Sequence, residues 1–146
     1  MGLFDALGIS GSGLTAQRLR MDVTAENLAN ANSTKDANGQ PYRRKEVVLQ
    51  EASSGFGAAL ANAQGGSSPA GAGVQVTGIV ADATPGRQVF DPGNPDANAQ
   101  GYVTMPNVNP VTEMTDLIDA SRAYEANVTA MQSAKQMFSK TLDLLR

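Results

Sequence analysis

The chain contains neither cysteine nor histidine. Thiolate nucleophiles, disulfides and Cys-based metal sites are therefore excluded, and the commonest general base and metal ligand is missing. Catalysis would have to rest on carboxylates, Lys, Tyr or Ser. The densest carboxylate group is Glu113, Asp116, Asp119 and Glu125. Its first three members fall where a helix would begin, a position the helix dipole explains, and no apolar pocket is indicated to raise a carboxyl pKa. The run Gly8-Ile9-Ser10-Gly11-Ser12-Gly13 lacks the G-x-G-x-x-G order, a preceding strand and a following P-loop lysine, so it does not read as a phosphate cradle. Asn127-Val128-Thr129 matches a glycosylation sequon inside a helical pattern and is set aside. These residues predict a protein that is not an enzyme and uses no cofactor and no metal.

The remaining sequence is organised for packing. From Pro110 to Arg146 a 3-4 alternation runs through Met114, Leu117, Ser121, Tyr124, Val128, Met131, Lys135, Phe138, Leu142 and Leu145, which is a heptad seam. A straight helix of that length would run roughly 54 Å at 1.5 Å per residue. With Met114 at position a, Ala123, Ala130, Met137 and Leu144 form a second column away from the seam, and Ala126 and Ser133 a third. One apolar stripe suffices for one neighbour, so two imply a helix packed among several. Asn109 is the expected N-cap and Pro110 the first helical residue. Lys135, Lys140 and Arg146 balance the other end.

The N-terminal region is also helical in composition, with Leu7, Leu14, Met21 and Leu28 recurring every seven residues and Leu19 and Val23 off that line. Gly8, Gly11 and Gly13 predict a helix that frays, bends or starts late, since each costs about 1 kcal/mol relative to Ala. Asn27 and Asn30, near its end, are candidates for side-chain hydrogen bonds or simple helix-ending residues.

Between the helices the chain is rich in Gly, Pro, Ala, Ser and Asn. Short strands are expected at 47–49, 74–80, 89–90 and 102–105, with turns at 35–41 and 91–96. The stretch from Ala52 to Gly73, including a Gly-rich loop at 61–73, is the least structured. Arg43-Arg44-Lys45 is the sole basic run and reads as the exposed start of a strand. With 5% aromatic residues, no Trp and a net charge of -3, the chain has few anchors for a core and no surface for binding nucleic acid. No basic start followed by an apolar core marks a signal peptide, and no run approaches the ~20 apolar residues of a membrane span.

Two segments carry a resemblance. Leu14-Thr15-Ala16-Gln17 with Ala25-Glu26-Asn27-Leu28-Ala29-Asn30-Ala31-Asn32 resembles the N-terminal signature of the flagellar rod, hook and hook-associated axial proteins. Pro106-Asn107-Val108-Asn109, Glu113-Met114 and Ala120-Ser121-Arg122-Ala123-Tyr124-Glu125-Ala126-Asn127-Val128 resemble its C-terminal signature. The Ala-Ser-Arg-Ala-Tyr form and the short middle are most similar to proximal-rod members.

That resemblance implies an α+β, mainly α protein. Its N- and C-terminal helices would pair in a coiled-coil-like inner domain, residues 1–33 and 107–146, with a small β-rich outer segment at 34–106. It implies a structural subunit of the basal-body proximal rod, polymerising through its terminal helices into a hollow drive shaft that transmits torque and passes exported proteins. The expected partners are copies of itself, other rod proteins, and rotor or export-gate components. The expected location is the periplasm-spanning rod, reached through the flagellar type III apparatus without a cleaved signal. The assembly residues would be Leu7, Leu14, Met21, Leu28, Leu117, Tyr124, Val128, Met131, Phe138, Leu142 and Leu145. Another rod protein of the family, or a soluble helical adaptor, is the alternative.

Overall fold

A computed structural model describes residues 3–35, 39–52, 63 and 73–144. Two long helices bracket four short strands: α1 Leu3–Ala29, β1 Lys45–Glu51, β2 Val74–Ala81, β3 Gln88–Phe90, β4 Tyr102–Thr104 and α2 Pro110–Leu144. The expected central stretch 53–72, the turn residues 36–38, and Leu145 and Arg146 lie outside the described residues, Ala63 apart.

α2 starts as its capping residues dictate. The Asn109 side-chain oxygen accepts the Val111 N–H at 3.1 Å, and the Asn109 carbonyl accepts the Glu113 N–H at 3.0 Å. Pro110 fills the first helical position, where its missing N–H is not needed. α1 is helical from Leu3 through Gly8, Gly11 and Gly13, so the glycine run neither breaks it nor delays its start.

Strands β1 and β2 form one two-stranded sheet, β3 and β4 another. In the first, the Ala52 N–H bonds to the Gly73 carbonyl and the Asp82 N–H to the Arg44 carbonyl, so the strands run antiparallel. In the second, Gln88 pairs with Thr104, Val89 with Val103 and Phe90 with Tyr102. Val103 points inward and is buried, while Phe90 and Tyr102 stack edge to face on the outer side, centroids 5.3 Å apart. Gly101, at φ +80°, turns the chain into β4 where a Cβ would meet Phe90 at 2.9 Å.

The chain divides into two compact units. One comprises Met1–Arg18, Leu49–Thr77 and Ser121–Arg146, the other Leu19–Val48 and Gly78–Ala120. In the first, Gly11 lies 3.8 Å from Met131 and Gly13 3.0 Å from Asn127, measured from the Cβ each would carry, so the two helix segments run antiparallel at close range. In the second, Arg20 reaches Asp116 and Asn27 reaches Glu113, again in antiparallel order.

The face that α2 turns inward differs from the expected one. Its most buried residues are Glu113, Ala120 and Ala134, with Leu117, Tyr124, Asn127 and Met131 half-buried along the same line. Of the expected column, Leu117, Tyr124 and Met131 are half-buried and Phe138 is exposed. The companion column is shifted one residue toward the N-terminus, from Met114, Ser121, Val128 and Lys135 to Glu113, Ala120, Asn127 and Ala134. Met114 is 54% exposed and Lys135 is exposed. On α1, Gly13 leaves room for Asn127, and Ala16 is buried.

Candidate assembly site

The most buried polar side chains among the described residues, Asn27 and Glu113, meet in one cluster. Asn27 comes from the last turns of α1, Glu113 from the first turn of α2, and between them runs the segment Tyr42–Glu46 leading into β1. The Asn27 amide uses its full hydrogen-bonding capacity. Its oxygen accepts the Lys45 N–H at 2.9 Å and the Tyr42 hydroxyl at 2.9 Å, and its nitrogen donates to the Lys45 carbonyl at 2.8 Å and to Glu113 Oε2 at 3.0 Å. Bonding both backbone groups of Lys45, the side chain acts as a short piece of strand edge.

Glu113 is 1% exposed, and a buried carboxylate requires a counter-charge. Arg44 supplies it, with Nε 2.5 Å from Glu113 Oε1. Nη2 lies 3.3 Å from Asp116, and Nη1 pairs with Glu46. The Arg44 backbone N–H is held by Asn107 Oδ1 at 2.8 Å. The hydrogen bond to Glu113 pushes the Arg44 guanidinium pKa up, which keeps Arg44 charged. Burial, and then the charge of Glu26, raise the Tyr42 phenol, keeping its proton available to Asn27. Lys45 extends to Glu26 at 2.5 Å and lies over the Tyr42 ring at 5.6 Å.

This arrangement locks position. Every polar atom of Asn27 and both oxygens of Glu113 are engaged within the chain. Among the described residues no group of three or more carboxylates could hold a metal ion, and no helix is long and apolar enough to cross a membrane. Arg44 is a correction to the sequence reading. It is a largely buried counter-ion with a side chain 22% exposed, while Arg43 alone of the basic run stays exposed. Glu113 was accounted for by the helix dipole, and its central position was missed. Asn27 and Asn30 separate cleanly, since Asn30 donates to the Glu26 carbonyl and accepts from Ser33, which only finishes the helix.

Of the expected assembly residues, Leu7, Leu14, Met21, Leu28, Leu117, Tyr124, Val128 and Met131 are half-buried. Phe138 and Leu142 are exposed at 39% and 51%, and Leu145 lies outside the described residues. A set not anticipated lies on the opposite side of α2 from the buried line: Val111, Met114 and Ile118, exposed at 72%, 54% and 52%. Their spacing of three and four residues was legible, but the seam assigned one residue later absorbed Met114 and hid the stripe.

The two clustered helix ends coincide with the segments matched by known families. Residues 7–35 match the family described as flagella basal body rod protein, and residues 99–144 the C-terminal family of flagellar basal body rod FlgEFG proteins. Over nearly its full length the chain is 49% identical to the flagellar basal-body rod protein FlgC of Bacillus subtilis, covering 99% of both. The chain belongs to the FlgC family of flagellar basal-body rod proteins. The FlgC of Escherichia coli O6:H1 is 45% identical over 99% of this chain and 98% of its own, and that of Borreliella burgdorferi 40% identical over 100% and 99%. FlgC-family chains are structural rod proteins and not enzymes.

Proposed function

We propose that the chain is a subunit of the proximal rod, in which its terminal helices pair in a coiled-coil-like inner domain, residues 1–33 and 107–146, and the β-rich segment 34–106 lies outside. The observation that carries this reading is the two-sidedness of α2. Its buried line of Glu113, Ala120 and Ala134 serves the intramolecular contact, and Val111, Met114 and Ile118 remain exposed for another chain. Apolar side chains worth roughly 1.5 to 3 kcal/mol each on burial are costly to leave in water, and neighbouring subunits complete their burial.

In this reading the partners are further copies and other rod proteins, stacked around a channel for exported proteins. The rod transmits torque across the periplasm. The subunit itself travels unfolded through the flagellar type III apparatus, which needs no cleaved signal. Basal bodies purified from the bacterium carrying this chain test the assignment. Immunoblotting finds the chain retained after detergent has stripped the membranes, whereas recovery only in the soluble fraction contradicts it.

A further inference from the structure

The β3–β4 hairpin carries complementary features at its two ends, both within one compact unit. At the end where β3 begins and β4 finishes there is a groove of about 540 Å³, lined by Asn32, Pro85, Arg87, Met105, Pro106 and Val108 among others. Arg87 is the one charged residue of that lining, it is exposed, and it has no ion pair among the described residues. The groove floor is fixed: the Met105 N–H bonds to the Arg87 carbonyl at 2.8 Å, and Pro106 is buried.

At the other end the connection between the strands opens with an exposed turn. Asp91 Oδ1 accepts the Gly93 N–H at 3.2 Å, and the Asp91 carbonyl accepts the Asn94 N–H at 3.3 Å. Asp91, Pro92 and Gly93 are exposed. The turn holds two acids of unequal standing. Asp96 is occupied by Lys35 Nζ and the Thr34 hydroxyl, each at 2.5 Å, whereas Asp91 has no ion pair among the described residues. An exposed acidic, proline-bearing turn thus stands at one end of the hairpin, and a groove of mixed prolines, asparagines, Met105 and Val108 with one cation at the other.

We propose that the Asp91–Pro92–Gly93 tip of one copy docks in the Arg87 groove of a second copy, with Asp91 paired to Arg87. This rests on the reading of the chain as a polymerising rod subunit and names a contact within that polymer. Two different surfaces meet, so the contact is heterologous. Repeated from copy to copy it closes a ring or continues as a helix, and it does not stop at a dimer. The charge pair fixes register and excludes like-charged approaches, while the asparagines of the groove offer hydrogen bonds to the backbone of the incoming turn.

Charge exchange tests it. Three variants, R87E, D91R and the double R87E/D91R, each replace the wild-type gene, and the chain is quantified by immunoblot in purified basal bodies relative to its level in whole cells. Each single reversal is expected to lower incorporation by about tenfold, and the double to restore most of it. Singles that incorporate like wild type, or a double no better than the singles, overturn the contact while the rod assignment stands. Absence of the wild-type chain from the same preparation overturns both.

Discussion

The Asn27 side-chain amide donates to Glu113 Oε2 at 3.0 Å across 86 positions of sequence, and both residues are 1% exposed. Through this bond the end of the first helix is registered against the start of the last. Arg44, from the segment between them, closes the cluster by neutralising the same carboxylate.

Removing the amide leaves several buried groups without partners. Asn27→Ala is expected to destabilise the chain by about 3 kcal/mol, read as a lower urea midpoint of the helical circular-dichroism signal. Asn30→Ala, which loses only a helix-end contact, should cost less than about 1 kcal/mol. Equal effects of the two would show that the cluster is no more important than an ordinary helix terminus.

The ion pair makes a sharper prediction. Arg44→Met strands Glu113 as a buried charge and should cost about 3–5 kcal/mol, whereas adding Glu113→Leu to it should recover most of that loss. Additive losses in the double variant would mean that Glu113 does not depend on Arg44.

The glycines of α1 are separable by what surrounds them. A Cβ at Gly8 meets nothing within 4 Å, so Gly8→Ala should stabilise the helix by about 0.5–1 kcal/mol. At Gly13 the Cβ would sit 3.0 Å from the Asn127 amide, and the gain should be cancelled or reversed. A thermal melt of each variant measures the difference.

Asp96 gives a pH signature. Its hydrogen bonds from Lys35 and then Thr34 hold its carboxyl pKa below the ordinary 3.8. A carboxyl depressed on folding contributes stability that is present above its unfolded value and is lost as pH falls through the folded one. An NMR titration should place the Asp96 midpoint below 3.8, and Asp96→Asn should remove its share of the acid sensitivity. A midpoint at or above the ordinary value contradicts the Lys35 contact.

Two substitutions on α2 distinguish folding from assembly. Ile118, 52% exposed, tolerates Asp in the isolated chain within about 0.5 kcal/mol, yet Ile118→Asp should abolish rod incorporation. Val128→Asp, at a half-buried position, should impair both. Normal motility of the Ile118 variant would remove this face from the interface.

Much of this architecture can be read from the residues, and the reasons for the misreadings are physical. The cap at Asn109–Pro110 and all four strands follow from local chemistry, so the sequence locates them. The inward line of α2 does not. Ala120 and Ala134 look like helix formers and Glu113 looks like a solvent-facing residue, while Met114 looks like core. What reverses these roles is distant in sequence: Arg44 makes burial of Glu113 possible, and Gly13 makes room for Asn127. Arg44 itself sat in a basic run that resembled any exposed strand start.

The central claim, that this chain is a structural component of the proximal rod, is tested most directly by electron microscopy of basal bodies from a strain lacking the gene. Loss of a proximal subunit should leave membrane-embedded rotor structures without distal rod or hook, and the restored gene should rebuild them. Complete hook–basal bodies in the deletion strain would contradict it.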